Sequence, residues 1–271
     1  MFVLYLLAAV CAVTQYVDAQ RSVYADHKWG LKDWERQHEK YLKSQPPVKI
    51  LNKGDKILYK DCFHLKNSGY NISGIYKINI NQSFAFKAHC EFTPTNAYTA
   101  IQQRVTSTFN FDTYYSYYVS GFGHPAADYW AGLTVMNHLS VQGNTVLKVR
   151  MTDWSGYNGI ANYKMFYVHA AAQNFVLNIG GFKTTSTVGD ALSYNNGMPF
   201  ASQDRPDPNN CASRHRTGWW YNYCTRSLPN GHYYMNGPYT PPYGYPDGIF
   251  WDNWRGVNYS LRYFIMQVSH F

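Results

Sequence analysis

The stretch GWWYNYCTRSLPNG, residues 218–231, places two tryptophans, two tyrosines and a cysteine directly before a turn-forming Pro-Asn-Gly. So much aromatic surface beside a cysteine suits either core packing around a disulfide or one wall of a ligand pocket. The surrounding segment from Asn195 to Gly256 is crowded with Gly, Pro, Asn, Tyr and Trp. Because this aromatic content favours burial over disorder, we predict that the segment is an ordered binding region built from loops.

The first residues of the chain predict its compartment. MFVLYLLAAVCAV is an apolar run with almost no charge, and VDA follows it. Val17 and Ala19 fit the small-residue rule of a signal-peptidase site, so residues 1–19 are predicted to be a signal peptide cleaved after Ala19. The run is too short for a spanning helix, and no later segment is long and apolar enough to cross a bilayer. We therefore expect a secreted, extracellular protein without a membrane span.

Four cysteines remain after the predicted cleavage: Cys62, Cys90, Cys211 and Cys224. An even number in an oxidising compartment favours two disulfides, and no pair has the short spacing of a structural zinc site. Three pairings are possible and spacing alone does not choose among them. Sequential pairing, which closes two short loops, is the first expectation.

In a secreted chain, Asn-x-Ser/Thr sequons are candidate glycosylation sites. Three Asn-x-Ser sequons occur, at Asn71, Asn81 and Asn258. We predict that each of these asparagines is a surface glycosylation site, although sequons also arise by chance.

The formal net charge of +8 is concentrated near the N-terminus. Residues 20–60 carry ten Lys or Arg and five Asp or Glu, and LKDWERQHEKYL within them has the periodicity of one short amphipathic helix. The helix is too short to predict a coiled coil, and whether it forms a homo-oligomer stays open. Such a segment attracts acidic glycans or anionic surfaces, with nucleic acid the least expected partner of a secreted chain. The alternative is a solvated tail without a specific partner.

From Asp61 onward the sequence changes to short β-rich runs divided by Gly, Asn and Pro. The segments SGIYKINI, NTVLKVRMTDW, KMFYVHA and NFVLNIGGF are predicted strands, whereas long helical periodicity is rare. The summed pattern predicts an α+β domain built on an antiparallel sheet over residues 61–271.

These blocks occur in the order typical of one family. DCFHLKNSGYNISGIYKINI, AFKAHCEF, Gly-Phe-Gly, Tyr-Trp-x-Gly, LKVRMTDWSG, GDALSYNNGMPF, NNCA, GWWYNYC and GIFWDNWRGVNYSLRYFIMQV follow one another from about Asp61 to the end of the chain. This order resembles the fibrinogen C-terminal domain, also called the fibrinogen-related domain. The resemblance implies an α+β fold with a twisted antiparallel sheet, a loop-rich recognition subdomain and the disulfides Cys62–Cys90 and Cys211–Cys224.

The resemblance also implies recognition without catalysis. The sequence contains neither the Gly-x-Ser-x-Gly elbow of a hydrolase nor the His-Glu-x-x-His motif of a metalloprotease. Isolated histidines in β-rich chains are more often structural than catalytic. We therefore predict that the protein is not an enzyme.

In the sugar-binding members that the chain resembles, a calcium loop precedes the third cysteine. The matching segment is FASQDRPDPNNC, in which Asp204 and Asp207 are the only acids. The segment is shorter than the family's usual loop, and calcium requires six to eight oxygen ligands. We expect either a weakened calcium site through these two aspartates or a turn that has lost calcium.

The resemblance carries the family's ligand pocket onto seven residues: His215, Tyr223, Cys224, Thr225, Tyr245, Pro246 and Val257. In the family the bond before the fourth cysteine is commonly cis and turns backbone amides toward an acetyl oxygen. Here neither partner of that bond is proline, so a cis form would cost about 3 kcal/mol. Tyr245 matches the aromatic wall for the acetyl methyl group, while Thr225 stands where histidine is frequent and Val257 where an aromatic residue is usual. The changed pocket predicts ligand recognition with altered specificity.

Two functions follow from the resemblance. The main prediction is a lectin-like protein of innate immunity that binds glycans, acetylated or otherwise, on cell or microbial surfaces. The alternative is an adhesion, matrix or signalling ligand that binds a protein receptor through the same fold without sugar or calcium.

Overall fold

The computed structural model describes residues 59–80 and 84–270. The predicted signal peptide, the amphipathic helix and the sequon at Asn81 lie outside these residues. The described helices are α1 (Cys62–Asn67), α2 (Tyr115–Ser120), α3 (Leu133–Ser140), α4 (Cys211–His215) and α5 (Asp252–Arg255), with 3₁₀ turns at Ala171–Gln173 and Ser193–Asn195. The strands are β1 (Gly74–Asn79), β2 (Ala85–Phe92), β3 (Ala97–Arg104), β4 (Phe122–Gly123), β5 (Tyr129–Trp130), β6 (Thr145–Thr152), β7 (Asn158–Val168), β8 (Leu177–Phe182), β9 (Ser227–Leu228), β10 (Phe250–Trp251) and β11 (Tyr263–His270).

Nine strands form one antiparallel sheet with the order β1-β2-β3-β11-β6-β7-β8, in which β5 also pairs with β3 and β4 pairs with β5. The last strand of the chain lies at the centre of this sheet, where Phe264 pairs with Arg104 on one side and Met151 on the other. A small second sheet pairs β9 with β10. The antiparallel α+β fold predicted from the sequence is confirmed, and the four segments predicted as strands overlap β1, β6, β7 and β8.

The main core lies on one face of the sheet because apolar residues alternate along its central strands. Leu147, Val149 and Met151 of β6 are buried on this face, and so are Ala161 and Tyr163 of β7. Helix α3 contributes further apolar side chains to the same cluster. Burial of each large apolar side chain contributes roughly 1.5–3 kcal/mol, which makes this layer the main source of stability.

The first disulfide ties helix α1 to the sheet. Cys62 and Cys90 are fully buried and bonded, with their Cα atoms 5.5 Å apart. Asp61 caps the helix, because its carboxylate accepts the N–H of His64 at 2.7 Å. The second disulfide joins Cys211 to Cys224. Both predicted pairings are confirmed.

The segment over residues 195–256, predicted to be an ordered loop region, packs on the core through aromatic rings. The ring of Trp220 lies 5.2 Å from that of Phe200 and 6.0 Å from that of Trp130, measured between centroids. Its Nε1–H donates to the Phe175 carbonyl oxygen at 2.8 Å, so the buried indole has a hydrogen-bond partner. These contacts fix the loops in place although regular secondary structure is sparse there.

Candidate binding surface beside the Cys211–Cys224 disulfide

The aromatic stretch around the fourth cysteine passes from the core to the surface within a few residues. Trp219 and Trp220 are fully buried. The chain then turns, and the N–H of Asn222 donates to the Cys224 carbonyl oxygen at 2.7 Å. Tyr223, at the tip of this turn, has 80% of its surface exposed. The two tryptophans are therefore core residues, whereas Tyr223 is available to a ligand.

The turn is closed without a cis bond. Throughout the described residues every peptide bond is trans, including that between Tyr223 and Cys224. Tyr223 instead has a left-handed backbone with φ of 48°, which costs a residue with a side chain roughly 1–2 kcal/mol. The Thr225 hydroxyl lies 3.1 Å from Asn195 Oδ1 and 2.7 Å from the Ser227 carbonyl oxygen. The Thr225 hydroxyl is therefore already hydrogen-bonded within the protein and supports the turn.

His215 is a buried residue at the end of α4. Its Nδ1 contacts the Pro246 carbonyl oxygen, and since a carbonyl only accepts, Nδ1 carries the proton. The imidazole ring stacks on Tyr221, with centroids 5.6 Å apart and planes at 14°. Burial lowers the pKa of His215, so the ring is neutral at neutral pH. The structure therefore brings together two of the predicted site residues, His215 and Pro246, from distant parts of the chain.

Two arginines flank His215, and each lies over an exposed tyrosine ring. The guanidinium carbon of Arg214 is 5.0 Å from the ring centre of Tyr245, and that of Arg216 is 5.1 Å from the ring centre of Tyr243. Tyr243 is 67% exposed and Tyr245 is 42% exposed. Both pairs have the geometry of cation–π contacts. We name these four residues (Arg214, Arg216, Tyr243 and Tyr245) the Arg–Tyr surface.

A buried carboxylate anchors the Arg–Tyr surface. Asp247 is 1% exposed, and its Oδ2 lies 2.6 Å from Arg216 Nη2. Tyr234 donates its hydroxyl to Asp247 and stacks on Tyr239 with ring centroids 4.4 Å apart. Burial and the charge of Asp247 raise the pKa of Tyr234 to about 12. Tyr239 donates in turn to the Val257 carbonyl oxygen at 3.0 Å, so Val257 meets this network through its backbone.

Of the four residues of the Arg–Tyr surface, the sequence predicted Tyr245 but not Arg214, Arg216 or Tyr243. The signals were present, since basic residues stand on both sides of His215 and two tyrosines are separated by a single glycine before Pro246. What the sequence did not show is that α4 and the loop over 239–247 approach each other.

The two aspartates of the predicted calcium loop have structural contacts of their own. Asp204 Oδ1 accepts the N–H of Tyr115 at 2.8 Å and the hydroxyl of Ser202 at 2.7 Å. Asp207 Oδ2 accepts the N–H of Ala212 in the first turn of α4 at 2.9 Å. Within residues 59–80 and 84–270, no group of three or more His, Cys, Asp or Glu side chains is arranged to hold a metal ion. Because both carboxylates accept hydrogen bonds from the protein, they fit a calcium site poorly. Calcium binding at this loop stays a prediction.

The sequons that the structure describes are on the surface. Asn71 and Asn258 are exposed, as a glycosylation site requires. The side chain of Ser260, which completes the sequon of Asn258, is buried and accepts the N–H of Tyr234 at 3.2 Å. Glycosylation of these asparagines stays a prediction.

Comparison with known families identifies the class of protein that this fold and surface define. The model of the C-terminal globular domain of fibrinogen beta and gamma chains matches residues 58–270. The chain belongs to this fibrinogen C-terminal domain family. The resemblance noted in the sequence is thereby confirmed, and so is the prediction that the protein is not an enzyme, because members of the family are ligand-binding proteins without catalysis.

Several curated proteins are similar to the chain. Mouse angiopoietin-related protein 6 is 32% identical over 244 residues, which cover 86% of this chain and 52% of that protein. Human fibrinogen-like protein 1 is 34% identical over 256 residues, which cover 84% of this chain and 80% of that protein. The chain therefore spans only about half the length of the angiopoietin-related relative.

Solved structures support the fold. The fibrinogen-like globe domain of human ANGPTL6 superposes with a TM-score of 0.73 at 32% identity, covering 80% of this chain and 98% of that domain. Lamprey fibrin D-dimer, solved with the peptide ligand Gly-His-Arg-Pro-amide, gives a TM-score of 0.75 at 24% identity over 99% of this chain and 94% of that one. This second likeness concerns the fold alone. Among the helices of the described residues, none has the length and apolar character needed to cross a membrane.

Proposed function

We propose that the protein is a secreted adhesion or signalling ligand that binds a protein partner through the Arg–Tyr surface, without sugar or calcium. The observation that carries the proposal is the pairing of Arg214 with Tyr245 and of Arg216 with Tyr243, with both tyrosine rings open to solvent. Tyrosine and arginine are enriched among residues that dominate protein–protein binding energy, since each offers a large contact area and a polar group.

The anchoring of the surface supports this proposal. Arg216 is held by buried Asp247, which Tyr234 also contacts. Side chains that are already ordered lose less conformational entropy when a partner binds, so more of the contact energy becomes affinity. The relatives, angiopoietin-related and fibrinogen-like proteins, fit a ligand of the signalling type. Secretion is part of the proposal and is supported by the apolar leader and the two disulfides.

Glycan recognition is the second candidate function, and the exposure of Tyr223, Tyr243 and Tyr245 favours it. Exposed aromatic rings stack on the apolar faces of sugars, and this surface offers three of them. Acetyl specificity has weaker support, because the bond between Tyr223 and Cys224 is trans. A role in innate immunity belongs to this second candidate.

The test compares saturable binding of three full-length proteins to a cell line selected for binding the unaltered chain. The first is unaltered, the second carries Tyr243→Ala with Tyr245→Ala, and the control carries Tyr117→Ala with Tyr157→Ala. The control also removes two exposed tyrosines, 53% and 67% exposed, without changing charge. We expect the affinity of the first pair to fall about tenfold or more, and that of the control to change little.

Enzymatic treatment of the cells separates the two candidate functions. Protease treatment should abolish the component of binding that depends on Tyr243 and Tyr245, whereas enzymatic removal of surface glycans, or addition of a calcium chelator, should leave that component unchanged. Binding that survives protease and disappears with the glycans would favour the lectin function instead. A glycan array with and without chelator is an independent measurement. Absence of binding to every acetylated glycan would exclude acetyl binding.

A further inference from the structure

The register of the sheet places cations from several strands on one face. Directly opposed residues of antiparallel strands lie on the same face, and residues two positions apart on one strand share it. Lys77 of β1 pairs with Lys87 of β2, so two like charges stand opposite each other. Both lysines are exposed. An exposed pair of equal charges across two strands is unfavourable unless an anion lies near it.

The same face continues across the centre of the sheet. Gln267 of β11 pairs with Lys148 of β6, and Arg150 follows on that strand two positions later. Lys148 also pairs with Asn162 of β7, and the next residue, Tyr163, is buried in the core. Lys164 follows Tyr163 and is exposed, so it lies on the side of the strand away from the core. Lys164 is exposed, whereas Lys148 and Arg150 are half-buried.

Side-chain contacts agree with this assignment. The Nζ atom of Lys148 lies 4.6 Å from the ring centre of Tyr98 on β3. Arg150 Nη2 lies 2.7 Å from Glu91 Oε2 on β2, and Gln267 Nε2 donates to the same oxygen at 2.9 Å. These contacts join residues of four strands on one side of the sheet. We name Lys77, Lys87, Lys148, Arg150 and Lys164 the basic sheet face.

The charge of this face is unbalanced. Glu91 is the one acidic residue within the described strands, and Arg150 and Gln267 already contact it. Five cations therefore stand against a single carboxylate. Burial lowers the pKa of Lys148, and the nearby positive charge of Arg150 acts in the same direction. An anionic partner would relieve this accumulation of positive charge.

We propose that the basic sheet face binds a sulfated polysaccharide. From β1 to β7 the face crosses five inter-strand gaps of about 4.8 Å each, or about 24 Å in total. A small anion would contact one or two of these cations, whereas an extended chain with repeating charges contacts several strands at once. This surface is formed by the sheet, whereas the Arg–Tyr surface is formed by α4 and a loop, so the two proposals share only the expected secretion of the chain.

The composition of the face favours a polysaccharide over a lipid surface. The exposed cations Lys77, Lys87 and Lys164 lie on three different strands, and within the described strands the only exposed large apolar side chain is Met165, beside Lys164. One such side chain offers too little apolar surface to insert into a bilayer. The expected secretion of the chain makes sulfated polysaccharides of the cell surface and matrix the accessible polyanions.

The experiment measures heparin binding by the full-length protein at physiological ionic strength. One variant carries Lys77→Thr, Lys87→Thr and Lys164→Thr, which remove exposed charges and suit strands. The matched control carries Arg205→Thr, Arg226→Thr and Arg262→Thr, three exposed cations that are not on this face. The basic N-terminal segment is present in both, so its contribution cancels. Desulfated heparin and phosphatidylserine vesicles are measured in parallel.

We expect the first variant to bind heparin at least about tenfold more weakly and the control to change less than about threefold. Binding should also weaken with added salt and be lost with desulfated heparin. Equal losses in the two variants would overturn the proposal, because they would show a general charge effect. Absence of heparin binding by the unaltered protein, or binding to the vesicles alone, would overturn it as well.

Discussion

The sheet and the loop region over residues 195–256 are stabilised in different ways. In the sheet, backbone polar groups are paired in ladders between strands. The loop region lacks long ladders, and side chains satisfy its carbonyls instead: Gln102 Nε2 donates to the Pro229 oxygen at 3.0 Å, and Asn230 Nδ2 to the Gly218 oxygen at 3.0 Å. Because buried backbone groups require partners, a few polar residues determine the loop structure and leave outward side chains free for recognition.

The strongest test of this difference concerns Arg104, which links the sheet to the loop region. Arg104 is 2% exposed, donates to the Gly231 carbonyl oxygen, and has its Nε 3.7 Å from buried Asp128. Arg104→Met should lower the free energy of unfolding by about 3–5 kcal/mol, since it leaves a buried carboxylate without its cation. Denaturant titration measures this, with exposed Arg226→Met as a control expected to change it by less than about 0.5 kcal/mol. A small loss for Arg104→Met would show that the loops are held in another way.

The two disulfides give the next largest effect. Removing either pair by Cys→Ala substitution should cost about 2–4 kcal/mol of unfolding free energy. The separations are 28 residues for Cys62–Cys90 and 13 for Cys211–Cys224, so chain entropy makes the first loss larger by about 0.7 kcal/mol. Only removal of Cys211–Cys224 should also weaken partner binding, because only this bond lies beside the Arg–Tyr surface. Equal effects on binding would remove the functional distinction between the two regions.

A smaller effect is expected from the pH dependence of stability at the contact between His270 and Asp61, the residue that caps α1. His270 Nδ1 lies 2.8 Å from Asp61 Oδ2, and Nε2 lies 2.9 Å from the Leu139 carbonyl oxygen. Burial alone would lower the pKa of His270, but the hydrogen bond and charge of Asp61, with the Leu139 carbonyl, outweigh it and raise the pKa. This stabilisation is complete below the unfolded-state pKa of about 6.5 and is lost as pH rises through the folded-state value.

From about pH 6 to about pH 9 the contribution of His270 to the unfolding free energy should therefore decrease with rising pH. His89 and His215, whose pKa values are lowered by burial, contribute in the opposite direction below about pH 7. His64, which contacts the other oxygen of Asp61, is the second titratable group at this place. His270→Gln should flatten the profile, whereas His64→Gln should leave most of the slope. A profile in His270→Gln as steep as that of the unaltered protein would contradict the assignment.

The smallest effect concerns the exposed turn of the recognition region. Tyr223 has a positive φ and a largely exposed side chain. Tyr223→Gly should leave stability unchanged or raise it by up to about 1 kcal/mol, because glycine adopts this conformation without strain. Thermal unfolding measures the change, with Tyr243→Gly as a control for the loss of an exposed tyrosine. A clear destabilisation would mean that the side chain of Tyr223 supports the fold.

The sequence predicted the framework better than the binding surface, for physical reasons. Alternation of apolar residues is local, so segments such as NTVLKVRMTDW indicated strands, and ordered family motifs implied the disulfides. The central position of β11 depends on pairing between Phe264 and Met151, more than one hundred residues apart, which no local pattern encodes. The Arg–Tyr surface depends likewise on the approach of α4 to the loop over 239–247. His215 and Pro246 were identified through the resemblance, whereas Arg214 and Arg216 could be identified only from the three-dimensional structure.

Under the proposed function, recognition by the Arg–Tyr surface is separable from the stability of the framework. Measuring both partner binding and the free energy of unfolding for Tyr243→Ala with Tyr245→Ala tests it most directly. We expect binding to weaken about tenfold or more while the protein stays folded, with the free energy of unfolding lower by at most about 1–2 kcal/mol because two exposed cation–π contacts are lost. Retained binding, or a variant that is no longer folded at the temperature of the binding measurement, would contradict this expectation.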